Sequence, residues 1–355
     1  MPDAAPRLTP RWRDLLELRP YDRDHWAALR VGLATAVPLT ALWLLGRQDL
    51  AAFAVFGAFA SVYGRNLPHL SRLRLQSTAG AAQLLSIGVG GLIALSPHRY
   101  AIVVPVAAVG AFGFSLLADR ARWTPPGPLF QIFGLAGIAA VPTTPARLGV
   151  GLLVSTGSVL VALLIGYLGR LFWRVRAGTL HDPYTKPVAV PSPPHGLWAH
   201  ATMFGVGTLV AGAIPSLLGI GHPYWAMVSV IAGLSASGRY NRVLRATHRF
   251  VGTMAGLAVG AAILALRPGG VWAVALVVAL QAGIELFVVR NYALALLFMT
   301  PLVLVMGELS AHHPVGELIW QRGIETVIGV AVAIAMAIFM ERKQSEARPL
   351  GSIRI

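Results

Sequence analysis

Residues 271–289 read VWAVALVVALQAGIELFVV and contain one charged side chain, Glu285. A run of about 20 apolar residues is the length that an α-helix needs to cross the hydrocarbon core of a bilayer. The whole chain has this character, since 56% of its 355 residues are hydrophobic and 12% are charged. One or two ordinary cores could not bury that much apolar surface in water. The sequence therefore predicts an all-α integral membrane protein in contact with the lipid bilayer.

Comparable apolar stretches predict about twelve transmembrane helices. We place them at 26–46, 49–64, 76–96, 100–118, 127–142, 148–169, 197–219, 222–238, 250–266, 271–289, 291–307 and 320–340. The polar, proline-containing stretch in the middle is predicted to be a linker outside the membrane, because proline removes amide donors and stiffens the chain. The predicted organisation is an N-terminal tail (1–25), a first half (26–169), the linker (170–196), a second half (197–340) and a C-terminal tail (341–355).

The two halves share the order of their polar residues. Trp26-Ala27 opens the first half as Trp198-Ala199 opens the second, and Gly64-Arg65 and Gly238-Arg239 each precede an arginine-rich connector. Repeats with an even number of spans are parallel and are related by an axis along the membrane normal. We therefore expect two parallel six-helix repeats, although two unrelated apolar segments of similar composition would also look alike.

Basic residues are distributed unevenly over the predicted connectors. All but five of the 29 Lys and Arg residues lie in, or within about one turn of, tails and connectors that would share one side of the membrane. The five exceptions are Arg47, Arg99, Arg147, Arg267 and Arg322. Cationic connectors remain in the cytoplasm, so this pattern predicts a multi-pass plasma membrane protein, in a bacterium the inner membrane, with both termini cytoplasmic. The same topology explains the net charge of +15 without nucleic-acid binding.

Several functional classes lack their sequence features. The chain has no cysteine and no G-x-x-x-x-G-K-Ser/Thr motif, which excludes thiolate chemistry and a self-contained ATP-driven pump. No paired carboxylates or Ser/His/Asp set is visible on the connectors, so we expect neither an enzyme nor a cofactor. His312-His313, with Glu308 and Glu317, lacks the spacing of a defined metal site, so no metal is expected. The N-terminal stretch 8–19 fits either an interfacial amphipathic helix or a simple basic tail.

The clearest local motif is an arginine followed by small residues at helical spacing. Arg249-x-x-Gly252-Thr253-x-x-Gly256 recurs as Arg322-x-x-Glu325-Thr326-x-x-Gly329, and Gly260 extends the first copy. Small residues four apart lie on one helix face and allow a second backbone to approach closely. We expect a helix-packing seam, in which the threonines bond to their own helix or to the neighbour.

These motifs carry a family resemblance. The run Tyr224-Trp225-Ala226, the motif that begins at Arg249, and Arg290-Asn291-Tyr292-Ala293 together resemble the fusaric acid resistance protein-like (FUSC) family of membrane transporters. The similarity is clear over 197–340 and weaker over 20–175. That family includes aromatic acid exporters and is distantly similar to plant aluminium-activated malate transporters. The resemblance implies an exporter of aromatic or other organic carboxylates, driven by the proton gradient.

Polar residues within the predicted spans are candidates for the transport pathway. Glu285 either relays protons or clamps two helices together, and Arg30 either extends to the surface or presents a cation at the cytoplasmic entrance. Arg322 and Glu325 either bind an anion or form an interfacial ion pair. The proposed pathway residues are Arg30, Tyr224, Trp225, Arg249, Glu285, Asn291, Arg322 and Glu325.

Other functions stay open at this level. A passive anion channel is the main alternative, and a non-transporting scaffold whose small-residue seams form a homo-oligomer is another. Members of the family are associated with periplasmic adaptors, but nothing in this chain indicates one. The expected partners are the lipid bilayer and a small organic anion.

Overall fold

The computed structural model describes residues 10–22, 24–65, 67–177, 196–221, 223–310 and 315–347. Within these ranges the side chains of 172–174, 176–177, 308–310, 315 and 340–347 are left out. The predicted linker beyond Ala177 and the pair His312-His313 lie outside the described residues.

Helices make up nearly all of the described chain. The helices of the first part are α1 (Trp12–Leu16), α2 (Asp24–Leu44), α3 (Ala51–Ala58), α4 (His69–Ala94), α5 (Arg99–Arg120), α6 (Leu129–Ala139) and α7 (Pro145–Ala177). Short 3₁₀ turns, Gln48–Leu50 and Phe59–Val62, flank α3. The helices of the second part are α8 (Gly196–Leu217), α9 (Tyr224–Leu234), α10 (Arg239–Ala265), α11 (Gly270–Phe287), α12 (Tyr292–Ser310) and α13 (Val315–Ala347).

Long and short apolar helices follow one another in the same order in both parts of the chain. In the described part of the chain, eight helices are long and apolar enough to cross a membrane: α2, α4, α5, α7, α8, α10, α11 and α13. The apolar segments around α3, α6, α9 and α12 are shorter. The 11 residues of α6 extend only about 16 Å, about half of the hydrocarbon thickness. In each part the second and fifth apolar helices are the short ones.

The short helices lie inside the protein. Every residue of α9 from Trp225 to Leu234 is buried, and most of α6 is buried too. The long helices instead carry exposed apolar side chains, such as Leu153 on α7 and Trp272 on α11. Apolar side chains that face outward are expected where a helix contacts lipid. The long helices therefore enclose a core of short ones.

Helix contacts in the two parts correspond pair by pair. Helix α4 packs on α6 and α7, as α10 packs on α12 and α13, and α3 meets α7 as α9 meets α13. Between the parts, α5 packs on α8 and α2 packs on α11. Two left-handed glycines, Gly64 with φ of 70° and Gly238 with φ of 79°, precede the first turns of α4 and α10. A residue with a Cβ is disfavoured at this φ, which explains the shared Gly-Arg step.

One end of the bundle collects most of the described arginines. Arg65 contacts both Asp24 at the start of α2 and Glu285 near the end of α11. Helix α1 lies on the first turns of α10, where Tyr240 donates to Asp14. We call this end, with the α3–α4 connector and the start of α10, the arginine-rich face.

Several predicted boundaries differ from those of the structure. Helix α7 continues to Ala177, past the predicted start of the linker at residue 170, and α13 continues into the predicted C-terminal tail. The predicted spans 49–64, 127–142 and 222–238 contain shorter α-helices than expected. A helix surrounded by protein does not need to match the hydrocarbon thickness, so apolar content alone overestimates its length.

Candidate functional site in a buried aromatic cavity

A small cavity lies where the short helices meet. Its volume is about 40 Å³, and all four short-helix segments contribute to its wall. Phe59, Phe130 and Phe133 come from the first part of the chain, and Trp225 comes from α9. The ring centroids of Phe59 and Phe130 are 5.0 Å apart, and those of Phe133 and Trp225 are 5.8 Å apart. We call this space the central cavity.

Arg322 supplies a buried positive charge to the central cavity. Arg322 is 1% exposed, and its guanidinium carbon lies 3.7 Å from the centroid of the Trp225 ring. This is a close cation–π contact. Nε and Nη1 of Arg322 are buried and have no hydrogen-bond acceptor. Donors of a charged group are costly to bury without acceptors, so this arginine is suited to receive oxygen atoms from a ligand.

Arg249 brings a second guanidinium group to the same cavity. It is 2% exposed; its Nε donates to Ser229 Oγ at 3.2 Å and its Nη1 donates to the Tyr292 hydroxyl at 3.4 Å. These bonds hold the head group of Arg249 against the cavity wall. Two like charges repel each other in a poorly hydrated space, so a bound anion would stabilise both arginines.

Tyr224, Trp225 and Glu325 form one assembly at the other end of the bundle. The rings of Tyr224 and Trp225 are 4.2 Å apart, and the Glu325 carboxylate accepts the backbone N–H of Trp225 at 3.1 Å. Glu325 therefore fixes the first turn of α9, and that turn positions the Trp225 ring beneath Arg322. Arg249 and Arg322, the first residues of the two arginine motifs, thus line the same cavity.

The predicted glycine seam joins α10 to α12. A Cβ at Gly252 would lie 2.6 Å from the carbonyl oxygen of Ala293, and one at Gly256 would lie 2.7 Å from that of Leu296. At Gly260 a Cβ would lie 2.5 Å from the Leu304 side chain. The absence of side chains allows α10 to approach α12 and brings Arg249 beside Tyr292.

The second copy of the motif packs α13 on α9. A Cβ at Gly329 would lie 2.4 Å from the carbonyl oxygen of Ala226. Thr326 is fully buried in the same helix, and Thr253 is fully buried in α10. Neither hydroxyl oxygen has a hydrogen-bond partner, so the predicted threonine bonds are not made in this structure.

Glu285 and Arg30 lie near the arginine-rich face, away from the central cavity. Arg65 donates to the Glu285 carboxylate at 3.2 Å and to the Asp24 carboxylate at 2.8 Å. Arg30 donates to the Ser61 carbonyl at 3.4 Å. The arrangement of Glu285 corresponds to the clamp alternative, because one arginine joins α2, the α3–α4 connector and α11.

Asn291 anchors the segment that contains α1. Its side-chain amide donates to the carbonyl oxygens of Leu15 at 2.9 Å and Glu17 at 3.1 Å. Its Oδ1 accepts the backbone N–H of Leu294 at 3.1 Å, which caps the start of α12. Asn291 therefore lies beneath the N-terminal segment and outside the central cavity.

The aromatic wall of the central cavity, formed by Phe59, Phe130 and Phe133, was not among the predicted site residues, although Trp225 was. Phe56-x-x-Phe59 and Phe130-x-x-Phe133 have the spacing that places two rings on one helix face, which is the only sequence signal for this wall. Arg65 was also missed as the partner of Glu285. Among the described residues, no group of three or more His, Asp or Glu side chains could hold a metal ion.

These features define a multi-pass helical membrane protein with a buried cationic cavity. Residues 210–336 match the model of the family described as fusaric acid resistance protein-like, which confirms the resemblance. A stretch of 150 residues is 30% identical to the uncharacterized membrane protein YvaC of Bacillus subtilis (strain 168), and covers 42% of this chain and 24% of that protein.

A second relative is the inner membrane protein YccS of Escherichia coli (strain K12). It is 30% identical over 152 residues, which cover 42% of this chain and 20% of that protein. The similarity thus extends over about a quarter or less of each relative's length. No solved structure matches this chain.

Proposed function

We propose that this protein transports small organic carboxylates, with aromatic monocarboxylates as the preferred class. The observation that carries the proposal is Arg322, which is 1% exposed, lines the central cavity and has two guanidinium nitrogens without acceptors. A carboxylate would supply those acceptors, and the rings of Phe59, Phe133 and Trp225 would pack against an aromatic ring of the substrate. The family match supports a transport role.

The proposed architecture is twelve crossings in two parallel six-helix repeats. The common order of long and short helices and the matching helix contacts support it. The short helices surround the central cavity, as is typical of transporters whose substrate sites lie where irregular or broken helices meet between repeats. The basic connectors favour cytoplasmic termini in a bacterial inner membrane. Export is the proposed direction of flux because the family that the chain resembles includes aromatic acid exporters.

A carrier fits the central cavity better than an open channel. With a volume of about 40 Å³ the cavity is far smaller than the several hundred Å³ of an ordinary ligand pocket. The structure therefore has the form of a closed state, and a substrate would enter only when helices from the two parts of the chain move apart. Transport by such a movement gives saturable flux and exchange of labelled for unlabelled substrate.

The proposal is tested with purified protein in liposomes loaded with ¹⁴C-benzoate. We expect saturable benzoate efflux that external benzoate accelerates by exchange. Arg322→Gln should reduce the flux about 10- to 100-fold, because a hydrogen bond from a charged donor contributes about 1.5–3 kcal/mol. The matched control is Arg267→Gln, which removes an exposed arginine from the turn between α10 and α11 and should leave the flux unchanged.

The same vesicles distinguish the other mechanisms. Flux that follows the membrane voltage without saturation or exchange would replace the carrier with an anion channel. Flux that increases with an imposed pH gradient would support proton coupling. Failure of benzoate, malate and other carboxylates to cross at all would contradict a transport function and favour the oligomeric scaffold.

A further inference from the structure

A second cavity lies at the arginine-rich face, beneath the N-terminal segment. Its volume is about 280 Å³. Residues 14–19 form one wall, the first turns of α10 form another, and the turn between α11 and α12 forms the third. We call this space the vestibule. It is distinct from the central cavity, and neither Trp225 nor the phenylalanines of the central cavity line it.

The deep wall of the vestibule is cationic. Arg245 of α10 and Arg290 of the α11–α12 turn line it, together with the side chains of Ser237 and Asn241. His248 lines the same wall and is 8% exposed, with an Nε2 atom that has no hydrogen-bond partner. This wall presents donors and positive charge, the features of a carboxylate site.

The charged residues on the opposite wall belong to the N-terminal segment, and they either bond to groups outside the deep wall or face solvent. Asp14 accepts hydrogen bonds from the Tyr240 hydroxyl and from the backbone N–H of Arg11, both at 2.7 Å. Glu17 and Arg19 lie on an exposed stretch of the chain. The acidic residues therefore reduce the positive field of the deep wall. Nε of Arg290 and Nε of Arg245 donate to the backbone carbonyl oxygens of Arg19 and Ala232, so a carboxylate would be bound by the Nη atoms of these arginines.

One tyrosine separates the vestibule from the central cavity. The guanidinium carbon of Arg245 lies 4.1 Å from the centroid of the Tyr292 ring, and the hydroxyl of that ring accepts Nη1 of Arg249 at 3.4 Å. Arg245 lines the vestibule, Arg249 lines the central cavity, and Val288 lines both. An anion that leaves Arg245 thus meets the next buried cation directly behind Tyr292.

We propose that the vestibule is a second anion-binding site, where a carboxylate is held beside Arg245 before it passes Tyr292. The identity of the ligand rests on the proposed function, because the vestibule is taken to receive the same aromatic monocarboxylates. The site itself is defined by its own residues and can be tested without transport.

The test uses cysteine reactivity, since the natural chain has no cysteine. Ser237→Cys places a thiol in the vestibule, and Ser71→Cys places one on an exposed position of α4 in the first part of the chain. The probes are an anionic sulfonatoethyl and a cationic trimethylammonioethyl methanethiosulfonate. Rates are divided by the rates of the same reagents with a free small thiol.

We expect the anionic probe to react with Ser237→Cys about tenfold faster than the cationic probe, because a cleft lined with positive charge concentrates anions. Adding Arg245→Gln should remove most of this preference. Benzoate should slow the modification of Ser237→Cys and leave that of Ser71→Cys unchanged. Equal rates for both probes, or no protection by benzoate, would overturn the proposal.

Repeating the benzoate protection of Ser237→Cys in a protein that also carries Arg322→Gln distinguishes the two sites. Persistent protection there, with flux lost, supports a vestibule that binds independently of the central cavity. Protection that disappears with Arg322 would assign the effect to the central cavity and overturn the second site. Protection in a protein that shows no flux at all would leave the vestibule standing and refute the transport function.

Discussion

Arg65 is joined to Glu285 at two points: its Nη1 meets the carboxylate at 3.2 Å and its Nη2 meets the backbone carbonyl oxygen at 2.6 Å. The two residues are 220 positions apart in the chain and come from different parts of the bundle. The same guanidinium group reaches Asp24. This contact therefore ties α11 to the beginning of α2 at the arginine-rich face.

The first prediction concerns the ion pair between Arg65 and Glu285. Glu285→Gln should lower the free energy of unfolding by about 1–3 kcal/mol, because the largely buried Arg65 loses one of its two carboxylate partners. Arg65→Gln should have a similar effect, and the double variant should lose less than the sum, as for residues in direct contact. Chemical denaturation in detergent measures all three. Unchanged stability in Glu285→Gln, with a lost response of flux to pH, would instead favour the proton relay.

The second prediction concerns the seam between α10 and α12. Gly256→Ala should destabilise the protein by about 1–3 kcal/mol, since the new methyl group would press on the Leu296 carbonyl and on Thr300. Gly157→Ala is the matched control: this glycine lies within α7, and a Cβ there would meet nothing within 4 Å. The control should be neutral or slightly stabilising, because alanine favours a helix. Equal thermal stability of the two variants would rule out a tight seam.

The third prediction concerns substrate selection by the aromatic wall. Phe133→Leu keeps the cavity apolar and removes a ring that lies 5.8 Å from Trp225. We expect the preference for benzoate over cyclohexanecarboxylate to fall about threefold to tenfold, because an aromatic pair contributes about 0.5–1.5 kcal/mol. Competition against labelled benzoate gives the ratio. Phe339→Leu, at an exposed position near the end of α13, should leave the ratio unchanged.

The fourth prediction separates the two roles of Asn291. Asn291→Ser retains an oxygen that can cap α12 and removes the amide that holds Leu15 and Glu17. It should increase tryptic cleavage after Arg11 and Arg13 without changing thermal stability. Asn291→Ala should increase cleavage to the same extent and also destabilise the protein by about 1 kcal/mol. Identical cleavage patterns in the wild type and Asn291→Ser would show that the amide does not hold the N-terminal segment.

The fifth prediction concerns orientation in the membrane. In intact cells, Asn241→Cys at the arginine-rich face should resist a membrane-impermeant maleimide, whereas Arg267→Cys should react. Permeabilising the cells should allow the maleimide to react with Asn241→Cys. The reverse pattern would place the arginine-rich face outside the cytoplasm and contradict the distribution of basic residues.

Sequence reasoning selects residues whose type is unusual in their surroundings. Arg249 and Arg322 are conspicuous because charges are rare in apolar helices, and the structure brings both to one cavity. Phe130 and Phe133 could not be assigned, because an aromatic residue in a helix that is apolar all round has no polar face to indicate its direction. The partner of Glu285 was equally hidden, since nothing in the local sequence around Arg65 specifies a contact with α11.

The shortness of the inner helices was hidden for a related reason. Residues 127–142 and 222–238 are as apolar as a membrane-crossing segment, but Leu129–Ala139 and Tyr224–Leu234 alone form the α-helices. Apolar composition indicates that a segment is buried. A segment buried in protein and a segment buried in lipid have a similar composition, so the sequence does not distinguish them.

The composition of the central cavity has a consequence for how the gene can be divided. Its aromatic rings come largely from residues 59–133, whereas both guanidinium groups come from residues beyond 248. A fragment that contains only the family-matched region would carry the charges and Trp225 without the three phenylalanine rings. Two fragments separated between residues 178 and 195 should therefore recover benzoate efflux only when a single cell synthesises both of them.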